Sequence, residues 1–177
     1  MRRQNTGKPS MPQVSREILR QQFKITNYIG LAMIGSIFIY AFLVLALDKG
    51  YFSFLDGGEK TINAAVLTKI KYLFILLSVA IFLILKFKGN SILIFFQKQY
   101  AKSLYPTVLA LFAFTLLVFA LCEVIGIYGL VLFILSRNAT DFFIFMAISL
   151  LYFYLLYPKY AEWERFSNQD SLTSKSR

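Results

Sequence analysis

The chain has 177 residues, of which 58% are hydrophobic, and 19 Lys and Arg residues against 9 Asp and Glu give a formal net charge of +10. A soluble domain is usually about 45–50% apolar, and long apolar blocks such as those found here are typical of membrane proteins. With no His and one Cys, the composition excludes an internal disulfide, His-based catalysis and Cys/His sites for zinc, haem or iron–sulfur clusters. We therefore expect a protein that is not an enzyme, that holds no metal or other cofactor and that does not bind nucleic acid.

The first element is a polar, basic segment, residues 1–24, which includes Arg16, Arg20 and Lys24. It is too long and too basic for the n-region of a signal peptide, and no small-residue cleavage site follows the next apolar run. That run, residues 28–47, carries no charge and reaches the ~20 residues needed to span a bilayer. We expect it to be a retained membrane helix.

The second apolar run covers residues 63–85, with Lys69 and Lys71 near its start. These two lysines either extend to the lipid headgroups or lie in an interfacial turn. Residues 91–105 then combine aromatic side chains with Lys98 and Lys102. This loop is either a basic amphipathic stretch at the membrane surface or a solvated connector.

The third apolar run, residues 106–135, would be about 45 Å long as a helix, so we expect it to tilt, kink or protrude. The fourth run, residues 142–157, is short and is followed by Pro158. Five aromatic residues near its end are interpreted as an interfacial belt: Tyr152, Tyr154, Tyr157, Tyr160 and Trp163. The polar tail, residues 161–177, is expected to be disordered from Ser167 onwards.

The basic residues predict the orientation of these spans. Fourteen of the 19 lie in the N-terminal segment, the central loop and the C-terminal tail, and five lie in or beside the other two connections. Because cytoplasmic loops carry an excess of Lys and Arg, both termini should be cytoplasmic. The sequence therefore predicts an all-α membrane protein, with a four-helix transmembrane bundle over residues 25–160, in the cell membrane (the inner membrane in a bacterium).

Glu123 is the charged residue of the third span, and the apolar run on both sides of it contains no other. A charged side chain at this depth costs about 2.5–3.5 kcal/mol on insertion scales, so the carboxyl is expected to bind a proton rather than remain ionised. An acid in a membrane helix is a functional site by default. The alternative is a neutral acid that hydrogen-bonds a neighbouring helix.

Small residues accompany the acid on the same helix. Cys122, Gly126 and Gly129 recur at spacings of four and three and therefore share one face, and Ala120 lies on the adjacent face. Small residues allow two membrane helices to approach closely. We predict that these four residues pack against another helix.

The string Ala120-Leu121-Cys122-Glu123-Val124-Ile125-Gly126-Ile127-Tyr128-Gly129-Leu130-Val131 resembles the carboxylate-bearing helix of the proteolipid (c) subunits of F- and V-type ATPases. In that family an acid precedes an Ile/Leu-Tyr-Gly/Ala-Leu-Val run and carries the translocated proton or sodium ion. The resemblance implies that Glu123 binds the ion, with Tyr128 as its companion. The second span, by contrast, contains no glycine, unlike the inner helix of that family.

Two functions follow from these patterns and remain open. The first is a proteolipid-like subunit that binds or translocates a proton or sodium ion through Glu123 and assembles as a homo-oligomer or with other membrane subunits in the lipid bilayer. The second is a non-catalytic accessory or scaffold protein in which Glu123 is a protonated contact to a partner helix. A solute channel is disfavoured because the other spans show no paired intramembrane charges.

Overall fold

The computed structural model describes residues 13–51 and 63–173, and these residues form helices and no β-strand. In chain order the helices are α1 Gln13–Asp48, α2 Ala64–Gln99, α3 Pro106–Ser136, α4 Ala139–Leu156 and α5 Tyr160–Thr173. By length and composition, α1 to α4 can each cross a membrane. The prediction of an all-α protein with four spanning helices is therefore confirmed.

Caps and a proline mark several helix ends. The side chains of Asn63 and Asn138 each accept a hydrogen bond, at 3.0 Å, from the amide two residues further on, and they cap the N-termini of α2 and α4. Pro106 occupies the first turn of α3, where its fixed φ suits the helix and its missing N–H costs nothing. Arg137 ends α3 with a left-handed φ of 53°, and it allows the chain to turn directly into α4.

Helix α3 is the centre of the bundle. Its buried residues extend from Thr107 to Phe133, and it contacts each of the other four helices. Helix α2 lies at the periphery, since its buried residues are Ser78, Leu85 and Leu93. Phe119 on α3 is fully buried in a core that it shares with Ile37 of α1, Leu85 of α2 and Phe145 of α4.

The start of α1, the end of α2, the start of α3 and helix α5 meet at one end of the bundle, here called the basic end, which has its own apolar core. Leu19 on α1, Leu93 on α2, Val108 on α3 and Trp163 on α5 pack together there. Phe23 on α1 meets the ring of Trp163 edge-on at 5.4 Å between centroids. Aromatic pairs in this geometry contribute about 0.5–1.5 kcal/mol beyond their buried area. This contact therefore stabilises the packing of α5 against α1.

Three expectations about this end need correction. Helix α2 continues to Gln99, so most of the proposed loop at 91–105 is an extension of the second span. Helix α5 runs to Thr173, so the expectation of disorder from Ser167 was wrong as far as that residue. Trp163 is 3% exposed and belongs to a protein core, whereas the sequence placed it in an interfacial belt. Helix α5 and Trp163 pack against α1 and α3, and local sequence does not reveal these contacts.

The aromatic belt is divided in the same way around α4. Tyr152 is buried and its ring lies 4.9 Å from that of Phe82 on α2. Tyr154, two residues further on, is 82% exposed. Because residues two apart in a helix point in different directions, only part of this cluster is available to a membrane interface.

Candidate functional site

Glu123 lies near the middle of α3 and faces two hydroxyl groups on α1. Ser36 Oγ donates a hydrogen bond to Glu123 Oε1 at 2.6 Å, and Tyr40 OH donates to the same oxygen at 2.9 Å. Ser36 and Tyr40 are one helical turn apart and therefore share a face of α1. The polar contact is thus made between two helices of the same chain.

The hydroxyl of Ser36 has two acceptors and a single proton. Besides Glu123, the Met33 carbonyl oxygen lies 2.7 Å from Ser36 Oγ. An ionised Glu123 would accept the hydrogen bond from the Ser36 hydroxyl. A protonated Glu123 would instead donate a hydrogen bond to Ser36 Oγ, and the Ser36 hydroxyl would then donate to the Met33 carbonyl oxygen. The network is therefore complete in either protonation state, and it requires no cation.

Charges near Glu123 do not balance a carboxylate. In the described part of the chain, the ion pair joins Lys71 and Asp141, and no Lys or Arg pairs with Glu123. Glu123 is also only partly buried. The carboxyl of Glu123 therefore has two hydroxyl partners and, among the described residues, no cationic partner.

The small-residue face next to Glu123 packs on α4. Ser149 Oγ of α4 donates to the carbonyl oxygen of Cys122 at 2.6 Å. At Gly129, an added Cβ would lie 2.8 Å from Phe145 Cβ and 3.0 Å from the Phe142 carbonyl oxygen. Such distances are too short for any side chain, so the absence of a Cβ at Gly129 is what allows α3 and α4 to touch.

Gly126 occupies the same face with more room around it. A Cβ there would lie 3.6 Å from Ser149 Oγ and 3.7 Å from Ile37 Cγ1, which are ordinary contact distances. Ala120, in contrast, is exposed. The structure thus brings Cys122, Gly126 and Gly129 to the α3–α4 contact and places Ala120 outside it.

Tyr128 and Glu123 lie on different sides of α3. The Tyr128 ring stacks on Phe74 of α2, with centroids 4.5 Å apart and planes 13° apart. Glu123 instead bonds α1. Five residues of an α-helix turn through about 500°, which leaves the two side chains about 140° apart. Tyr40, on another helix, takes the position beside the acid that the sequence assigned to Tyr128.

The structure also pairs two charges that the sequence analysis did not join. Lys71 Nζ of α2 lies 2.5 Å from Asp141 Oδ1 of α4, and Asp141 is 6% exposed. Asp141 stands in the first turn of α4, where a negative charge is favoured by the helix dipole. Lys71 is near the start of the predicted second span and Asp141 directly precedes the predicted fourth span. This shared position at the span starts was the sequence feature that could have predicted the pair.

These features define a class of protein before they define a function. Four long apolar helices, three of them packed around the fourth, α3, are those of a multi-pass integral membrane protein. Among the described residues, no group of three or more His, Cys, Asp or Glu side chains is placed to hold a metal ion. Comparisons with models of known protein families, with curated proteins and with solved structures find no match.

Proposed function

We propose that this multi-pass membrane protein is a non-catalytic accessory or scaffold subunit in which Glu123 fastens α3 to α1. The observation that carries this proposal is the origin of both hydrogen-bond donors, Ser36 and Tyr40, in α1 of the same chain. Hydrogen bonds between membrane helices contribute about 0.6–2 kcal/mol each and fix the register of the helices. An acid used in this way needs no second subunit to complete it.

The same site supports a second candidate function, proton or sodium binding and translocation. The specific observation is the Ser36 hydroxyl between two acceptors, which lets the network reorganise when a proton arrives or leaves. Partial exposure of Glu123 would allow exchange with a neighbouring subunit or with water. In this case the protein would act in a homo-oligomer or beside other membrane subunits.

Two substitutions separate these functions. In Glu123→Gln the amide oxygen still accepts from both hydroxyls, so the first function expects stability within about 0.5 kcal/mol of wild type. Glu123→Leu removes the acceptor and leaves the Tyr40 hydroxyl unpaired, while Ser36 keeps the Met33 carbonyl oxygen, so it should destabilise by about 1–3 kcal/mol. Unfolding in mixed detergent micelles, followed by circular dichroism, measures both effects. A Glu123→Leu protein as stable as wild type would contradict the fastening role.

The translocation function makes a separate prediction for Glu123→Gln, which concerns transport rather than stability. Glu123→Gln should abolish proton uptake into proteoliposomes loaded with a pH-sensitive dye, and it should abolish carbodiimide modification at residue 123 under mildly acidic conditions. Asp48→Asn is the control, because Asp48 is exposed at the end of α1. Proton flux retained in Glu123→Gln, or no labelling of wild-type Glu123, would remove this second function.

A further inference from the structure

A cavity of about 280 Å³ opens at the basic end, between α2, α3 and the junction of α4 with α5. Its walls combine apolar and polar side chains, and the apolar ones include Leu85, Val118 and Trp163. Ligand pockets for small molecules usually measure about 300–1,000 Å³. At about 280 Å³ the cavity lies just below this range, so its size suits a compact polar headgroup rather than a whole lipid or a cofactor.

Polar groups on three elements converge on this space. The cavity is lined by Lys86 and Asn90 of α2, by Thr115 of α3 and by Lys159, which directly precedes α5. Thr115 is 4% exposed and lines the cavity. A hydroxyl in such a wall can exchange a hydrogen bond with a polar group that enters the cavity. The wall thus offers a hydroxyl and an amide side chain beside two positive charges.

The charges of the two lysines are available to a ligand. The ion pair within the described residues is between Lys71 and Asp141, and Lys86 Nζ lies 5.7 Å from the ring centre of Phe82. This cation–π distance holds the ammonium group in place without neutralising it. Glu162 also lines the cavity, so its formal balance is one positive charge, which matches a single phosphodiester.

The position along the helices corresponds to the edge of the hydrocarbon. Lys86 is the first charge after the apolar part of α2, and α4 ends at Leu156, just before the Pro158 that precedes α5. Basic pockets between membrane helices at this level are suited to anionic lipid headgroups. The acyl chains of such a lipid would remain outside, against the exposed apolar surface of α2, where Leu83 and Ile84 are exposed.

We propose that this cavity binds the headgroup of a singly charged anionic phospholipid, with its phosphate between Lys86 and Lys159. Thr115 and Asn90 hydrogen-bond the polar oxygens of the headgroup. Glu162 limits the site to a small net negative charge. Such a lipid would link α2, otherwise the most weakly held spanning helix, to the α4–α5 junction.

The test is a titration of the full-length protein in detergent with phosphatidylglycerol, read by native mass spectrometry. Because a basic residue near an anionic lipid contributes about fivefold to binding, we expect Lys86→Gln/Lys159→Gln to weaken binding by roughly 25-fold. The matched control, Lys88→Gln/Lys102→Gln, removes the same charge from residues that do not line the cavity. It should change binding by less than about threefold.

Further variants and competing ligands test whether the ligand is a lipid and whether it is anionic. Thr115→Val should weaken binding with unchanged unfolding temperature, and Glu162→Gln should strengthen it for phosphatidylglycerol. Equal losses in the cavity and control variants would overturn the site, as would equal binding of phosphatidylcholine. Competition by free inorganic phosphate at the same concentrations would overturn the lipid as its source. Stronger binding of phosphatidylethanolamine, lost in Glu162→Gln, would overturn the anionic assignment.

Discussion

Gly129→Ala is the sharpest test of the packing between α3 and α4. The added Cβ would lie 2.8 Å from Phe145 Cβ, 3.0 Å from the Phe142 carbonyl oxygen and 3.3 Å from Phe142 Cα. These atoms belong to the backbone of α4 or are bonded directly to it, so relief requires movement of the whole helix rather than of a flexible side-chain tip. Overpacking of this kind costs about 1–3 kcal/mol.

The helix propensity of alanine acts in the opposite direction and must be removed from the comparison. Alanine is favoured over glycine within a helix by up to about 1 kcal/mol. Gly35→Ala is the matched control, because no atom lies within 4 Å of the Cβ it would add on α1. The propensity gain is common to both variants, so Gly129→Ala should be about 1–3 kcal/mol less stable than Gly35→Ala.

Reversible unfolding in mixed micelles, with helicity as the signal, measures this difference. Gly126→Ala is the second comparison, since its Cβ would make ordinary contacts at 3.6–3.9 Å, and it should behave like Gly35→Ala. Equal stability of Gly129→Ala and Gly35→Ala would refute the close approach of α4 at Gly129. A loss at Gly126→Ala as large as at Gly129→Ala would refute the distinction between the two glycines.

Three further predictions concern other contacts. Lys71→Gln should destabilise the protein by about 1–3 kcal/mol because it leaves the buried Asp141 carboxylate unpaired, and adding Asp141→Asn should recover part of this loss. A double-mutant cycle in the same unfolding assay measures the coupling energy between the two residues. Additive losses would contradict the ion pair. Trp163→Ala should cost about 3–5 kcal/mol, as expected for a buried aromatic residue; a change below about 1 kcal/mol would return Trp163 to the membrane interface. Cys122, which is 0% exposed, should resist maleimide in the folded protein. A thiol introduced by Leu104→Cys, at a site 84% exposed, should react, and mass spectrometry measures both labelling rates. Similar rates at the two sites would show that the Cys122 face of α3 is accessible.

Part of the candidate site was predictable from sequence because its signals are local. Glu123 stands out as a charge in an apolar run, and the spacing of Cys122, Gly126 and Gly129 places small residues on one helix face. Neither signal identifies the helix that lies opposite. Ser36 and Tyr40 are separated from Glu123 by 87 and 83 residues, and nothing in their own neighbourhood marks them as partners of an acid.

The sequence by itself determined the class of this protein and the number of its spans, because apolar length and helix-forming composition are properties of single segments. Only the tertiary structure decided that Tyr40 rather than Tyr128 accompanies Glu123, and that Lys71 finds a counter-charge in Asp141. The physical reason is that rotation and register of one helix against another are set by close packing. These depend on the shapes of both surfaces, as the narrow gap at Gly129 shows, and no single segment contains that information.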